Sequence, residues 1–127
     1  MLLLRALLLV MLALLIAYTG AVIARHGADF LPVFFGDMAR VTWAGQFNLD
    51  FLGLLVLSAL WVAWRHRFSA GGIALAVLAL VGGTPVLCVY LLVESVRTGG
   101  DVGALLLGCR RDDPRRAHAA IRAAQRH

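Results

Sequence analysis

The side chains in this chain most capable of chemistry gather at the start of its second apolar run, Trp43-Ala44-Gly45-Gln46-Phe47-Asn48-Leu49-Asp50-Phe51. An aromatic residue beside a glycine, then alternating polar and apolar residues ending in a carboxylate, suits a helix that begins at the headgroup level. Asp50 lies about one turn into that run, and a carboxylate costs about 2.5 to 3.5 kcal/mol at the bilayer centre and less near the interface. It therefore needs protein or water in front of it, and Arg40, Arg25 and Arg97 are the candidate partners. Together with Glu94 they define a candidate polar or binding cluster of Arg25, Arg40, Gln46, Asn48, Asp50, Glu94 and Arg97 at one membrane face. Three roles stay open for it. Asp50 can order the helix start, where negative charge suits the dipole, while Asn48 satisfies free backbone donors. The cluster can bind a small polar or anionic molecule, or Asp50 can accept a proton.

Other chemistry is not encoded. His26, His66, His118 and His127 fall outside the apolar runs without ligand spacing. Cys88 and Cys109 lie at different depths with no CxxC spacing, which supports neither a disulfide framework nor a metal site. No nucleophile, base and orienting group form a constellation, so neither a catalytic residue nor a cofactor is expected. Glu94 and Arg97 are three apart, able to form an exposed pair worth a few tenths of a kcal/mol.

The elements that must hold these groups are three apolar runs, at about residues 2–24, 47–64 and 71–93, in a chain of 127 residues that is 61% hydrophobic with a mean hydropathy of +0.86. At 1.5 Å per residue each run can cross a hydrocarbon core of about 30 Å as a helix. The expected fold is all-α: an integral membrane three-helix bundle with an interfacial first loop and a basic C-terminal tail. Residues 1–100 form the transmembrane domain and 101–127 an amphipathic or disordered tail. Arg5 and the apolar stretch after it imitate a secretory signal peptide, but that stretch runs on to Ile23, so it is read as a retained span. The loop segment Phe30-Leu31-Pro32-Val33-Phe34-Phe35 is too apolar for a solvated linker and reads as interfacial or re-entrant. Asp113-Pro114 has the form of an N-cap and first helical position, opening a short helix to about Gln125 whose arginines suit anionic lipid headgroups.

All twelve basic residues are Arg, against seven acids. Seven of them follow Glu94, so positive charge retained on the cytoplasmic side explains them better than nucleic-acid binding. Three crossings would put Arg5, Arg65 and Arg67 on one side and the other nine on the opposite side, which favours a cytoplasmic C-terminus. Arg65-His66-Arg67 then sits in an exported tight turn, which conflicts with the same rule.

Helix packing in lipid relies on small residues that let backbones approach. Ala13, Ala17, Gly20 and Ala24 form one such stripe in the first run; Gly72, Ala76, Ala79 and Gly83 repeat its spacing in the third. The expected seam joins spans one and three, or two protomers. Gly82, Gly83 and Pro85 loosen one turn and remove a backbone donor, which predicts a kink near the centre of the third run. Trp43, Trp61, Trp64 and Tyr90 near the ends of spans two and three read as an interfacial aromatic belt.

The run Trp43 to Phe51, followed by Trp61-Val62-Ala63-Trp64-Arg65-His66-Arg67 and a Gly-rich third span, resembles small bacterial inner-membrane proteins of the domain-of-unknown-function type. The resemblance covers roughly residues 1–111 and implies a multi-pass bacterial inner (cytoplasmic) membrane location and a compact helical assembly, with no activity attached. The functional expectation is an accessory, scaffold or oligomerising subunit without catalysis, with membrane lipids and either its own copies or a membrane protein as partners. The alternatives are a component of a small-solute or proton carrier and an enzyme acting on lipids or quinones.

Overall fold

The computed structural model describes residues 1–110 together with Arg122, Ala124 and Gln125. The expected tail helix after Asp113-Pro114 lies outside the described residues. The elements are α1 (Leu2–His26), α2 (Leu31–Ala39), α3 (Trp43–Arg65), α4 (Ala70–Arg97) and α5 (Val102–Leu107), followed by a 3₁₀ turn (Gly108–Arg110). The described fold is all-helical, and α1, α3 and α4 are long and apolar enough to cross a membrane.

Caps set the starts of the later helices. The Thr42 hydroxyl accepts from Gly45 N at 3.1 Å, the Ser69 hydroxyl from Gly72 N at 3.1 Å, and Asp101 from Ala104 N at 3.1 Å. Each satisfies one of the donors that a helix start leaves open. Thr42 and Ser69 place the starts of α3 and α4 at Trp43 and Ala70, four residues and one residue ahead of where the apolar runs begin. The apolar loop segment is the helix α2, packed on α3. Its close approach depends on Gly45, where a Cβ would lie 2.8 Å from Met38 Cα.

The kink expected in the third run is a reversal of direction. Gly83 has φ 63° and ψ −149°, inside what is otherwise one helical segment. That region of backbone space is essentially restricted to glycine. Gly72 and Tyr90 both touch His66: the Gly72 Cβ position abuts His66 Cβ, and Tyr90 Oη lies 2.8 Å from His66 Nε2. In a straight helix those eighteen residues would span about 27 Å, so α4 must fold back on itself. One arm runs through residues 70–82 and the other returns through 84–97. Pro85 falls in the first turn of the returning arm, where its missing N–H leaves no bond unmade.

Each arm is about 20 Å long, short of the ~30 Å hydrocarbon thickness. The tip at Gly83 sits against Phe51 and Leu55 of α3, and Phe51 is itself about 21 Å along α3 from Arg65. Two independent lengths therefore agree on a hairpin that starts and ends at one end of the bundle. The broken backbone at Gly83 is buried, as apolar surroundings require.

The small-residue stripe of α4 is buried as expected, but its partner is α3. Gly72, Ala76, Ala79 and Gly83 face His66, Val62, Ala63, Phe51 and Leu55. The stripe Ala13, Ala17, Gly20 and Ala24 of α1 is exposed and forms no seam with α4 within one chain. Contact between α1 and α4 runs instead through Leu8, the one buried residue of α1, and through Arg5.

Two outcomes test the reversal. Gly83→Ala adds only ordinary contacts, 3.5 Å to Phe51 Cζ, so its cost should be the backbone strain of about 1 to 3 kcal/mol, read as lost stability in detergent. Gly71→Ala should be nearly silent. In a chain with Cys88 and Cys109 replaced by Ser, cysteines at Arg67 and Thr98 should label from the same side of a sealed vesicle and one at Ala28 from the other. Opposite sidedness for Arg67 and Thr98 would refute the hairpin.

Candidate functional site

Among the described residues the polar groups gather mainly in two clusters at opposite ends of the bundle. The richer one centres on Arg65, which ends α3 and is only 2% exposed. Its Nε donates to the Leu105 carbonyl of α5 at 2.7 Å, Nη1 to Tyr90 Oη at 2.8 Å, and Nη2 to Glu94 Oε2 at 2.7 Å and to the Ala104 carbonyl at 3.4 Å. The guanidinium also lies 5.6 Å from the Tyr90 ring centre. The Tyr90 hydroxyl, accepting from Arg65, also shares a hydrogen bond of 2.8 Å with His66 Nε2, and Trp61 packs edge-on against the Tyr90 ring at 6.1 Å. Glu94 is 8% exposed and takes a second cation, Arg97, on Oε1 at 3.1 Å.

Neighbouring residues extend the cluster to α1 and the 3₁₀ turn. Arg5 donates from Nε to Ser95 Oγ at 3.0 Å and from Nη2 to the Ser95 carbonyl at 2.7 Å; Ser95 is fully buried. Arg110 donates to the Trp64 carbonyl at 2.6 Å and stacks over the Trp64 ring at 4.6 Å. Every buried side-chain nitrogen and oxygen among the described residues has a partner. A charge placed in a low-dielectric setting demands that completeness.

The sequence-predicted cluster is divided between the two ends. Glu94 and Arg97 pair with each other as their spacing suggests, but they lie with Arg65, about 22 Å along α3 from Asp50 at 1.5 Å per residue. Arg40 pairs with Asp37 at 3.6 Å, with its side chain 75% exposed. Asn48 donates to the Phe34 carbonyl at 3.2 Å and so ties α3 to α2. Gln46, Arg25 and Asp50 are exposed, and Asp50 has no ion-pair partner among the described residues. The expected gathering of all seven residues at one face is thus corrected. Fold-back of α4 carries Glu94 and Arg97 away from Asp50.

Sequence reading missed Arg65, Tyr90, Ser95 and Arg5 as site residues. Arg65 was visible as one of the arginines of the Arg65-His66-Arg67 turn, but only the reversal at Gly83 brings an acid within its reach. Tyr90 and Trp61, read as interfacial belt residues, do sit at a bundle end, where their polar atoms and ring edges are used by the cluster.

A cleft of about 490 Å³ opens beside this cluster, between α1 and the two arms of α4. A second cavity, of about 440 Å³, lies at the opposite end under α2 and is bounded by His26, Asp29, Asp37 and Asn48. No three His, Cys, Asp or Glu side chains among the described residues converge on a metal-sized site. Comparison with protein-family models, curated proteins and solved structures yields no match.

Removing one partner of a buried charge pair leaves the other uncompensated, at a cost of about 3 to 5 kcal/mol. Glu94→Leu, which strands Arg65 without an acid, should lower detergent stability by that order, and Arg65→Met by less, because Glu94 keeps Arg97. The double variant should recover much of the loss, because no lone charge remains. Arg40→Ala should change stability by less than about 1 kcal/mol, as for other exposed pairs. Equal effects at Arg65 and Arg40 would show that the buried network carries no particular weight.

Proposed function

We propose that this chain is a small multi-pass membrane subunit of accessory or scaffold type, without catalysis, that assembles through the outer face of α1. The observation that carries this is the exposure of Ala13, Ala17, Gly20 and Ala24 on one side of a helix that buries only Leu8 within its own chain. A groove of small side chains lets a second helix backbone come close, which is the main source of association between helices in lipid. A Cβ added at Gly20 would meet nothing within 4 Å, so that surface is free to receive a neighbour.

Charge supports an orientation. Among the first 110 residues, Arg5, Arg65, Arg67, Arg97 and Arg110 lie at the Arg65 end and only Arg25 and Arg40 at the other. Five against two favours the Arg65 end as cytoplasmic. With that orientation the conflict raised by Arg65-His66-Arg67 disappears, because the turn lies at the same end as Arg5, Arg97 and Arg110. A bacterial inner membrane is the setting that the sequence resemblance implies. The carrier alternative would require Asp50 to face other polar groups across a pathway; it is instead exposed at the outer end of α3.

Native mass spectrometry of gently extracted protein should show an assembly, with copies of this chain or with another membrane protein, and Gly20→Leu should leave the fold intact and abolish it. Assembly unchanged by Gly20→Leu and Ala17→Leu would overturn the α1 reading.

A further inference from the structure

The cleft between α1 and the arms of α4 combines an apolar interior with a polar end. Leu12 of α1, Leu78 of the first arm and Val89 of the second line its length, and His66, Tyr90, Glu94 and Arg97 close it at the Arg65 end. With about 30 Å³ for each water-sized group, 490 Å³ holds roughly sixteen such groups, which is about one long hydrocarbon chain. Behind the polar end positive charge is in excess: Arg65 and Arg97 each bind one oxygen of Glu94, the one acid there, and Arg5 is held beside it on Ser95. Of these three arginines only Arg97 lines the cleft. Arg65 is spent internally, whereas Arg97 gives one nitrogen to Glu94 and keeps its side chain 71% exposed at the mouth.

We propose that this cleft is a binding site for an anionic phospholipid. One acyl chain lies between Leu12, Leu78 and Val89, and the phosphate sits at Arg97 on the cytoplasmic rim. A guanidinium already oriented by a carboxylate presents its remaining N–H groups to a phosphate with little further ordering. Net positive charge at the rim selects an anionic headgroup over a zwitterionic one. Neither part of the site involves the outer face of α1, so it stands apart from the assembly reading, and the C-terminal tail is not part of it.

The test is native mass spectrometry of the full chain from mixed micelles containing equal phosphatidylglycerol and phosphatidylcholine of the same chain length. One retained phosphatidylglycerol per chain is expected, favoured about tenfold over phosphatidylcholine, the order of one charge-assisted hydrogen bond. Arg97→Gln should bring the two lipids close to parity while keeping a lipid bound. Leu78→Trp and Val89→Trp, one on each arm, should each expel the lipid while retaining the helical circular dichroism of the parent. Equal retention of the two lipids by the parent chain, preferential retention of an added neutral quinone, or binding indifferent to both tryptophan substitutions would overturn the proposal.

Discussion

The structure depends on a single guanidinium being fully satisfied away from water. Arg65 ends one helix and binds a carboxylate and a phenol on the returning arm of another and two carbonyls of a third. A lone charge in that position would be prohibitively unstable, and a paired one gains little over well-packed apolar residues. Its value is geometric. The bonds to Tyr90 and Glu94, one turn apart on the returning arm, set both the height and the rotation of that arm. The bonds to Leu105 and Ala104 clamp α5 over the end of the bundle. Gly108, at φ 52°, passes so close to Arg65 that a Cβ there would lie 2.7 Å from its Cγ, so the covering segment is fitted to the side chain beneath it.

The hairpin that Arg65 secures is made possible by the absence of side chains. Lipid provides no hydrophobic drive for apolar helices to associate, so the arms and α3 must gain dispersion contacts through close approach. Gly72, Ala76 and Ala79 give the first arm a face flat enough to lie on Val62 and Ala63. Gly83 then supplies the one backbone conformation that turns the chain, and Thr84-Pro85 starts a new helix immediately. Polar clamp and apolar seam act at opposite ends of the hairpin, one fixing its base and the other its tip.

Much of this was legible in the sequence at the level of elements. The three apolar runs were recognisable from length and composition and the Glu94 and Arg97 pair from its spacing, while the loop segment read as too apolar for a linker is the helix α2. Asn48, expected to satisfy backbone groups, does bond a backbone, though it accepts no donor from its own helix and donates instead to the Phe34 carbonyl. The reversal was not legible, because a stretch of 71–93 reads as apolar whether it runs straight or folds in half. Gly82-Gly83-Thr84-Pro85 marked where the helix weakens without stating the angle. One discordance pointed further: arginines in a turn assigned to the exported side. It resolves once residues 65 and 94 share an end. The seven-residue cluster failed for the same reason, since membership was assigned by counting crossings.

A folded-back α4 also changes the work of inserting the chain. Two helices of crossing length and one hairpin about 20 Å deep return the described chain to the end where α1 begins, so under the proposed orientation the segment between α1 and α3 is, among the described residues, the one that has to be carried through the bilayer. That segment, residues 27–42, holds one of the twelve arginines, Arg40. α4 can then enter from the cytoplasmic side after α1 and α3 are in place, as a wedge drawn in by its seam with α3 and stopped by the charges at its base.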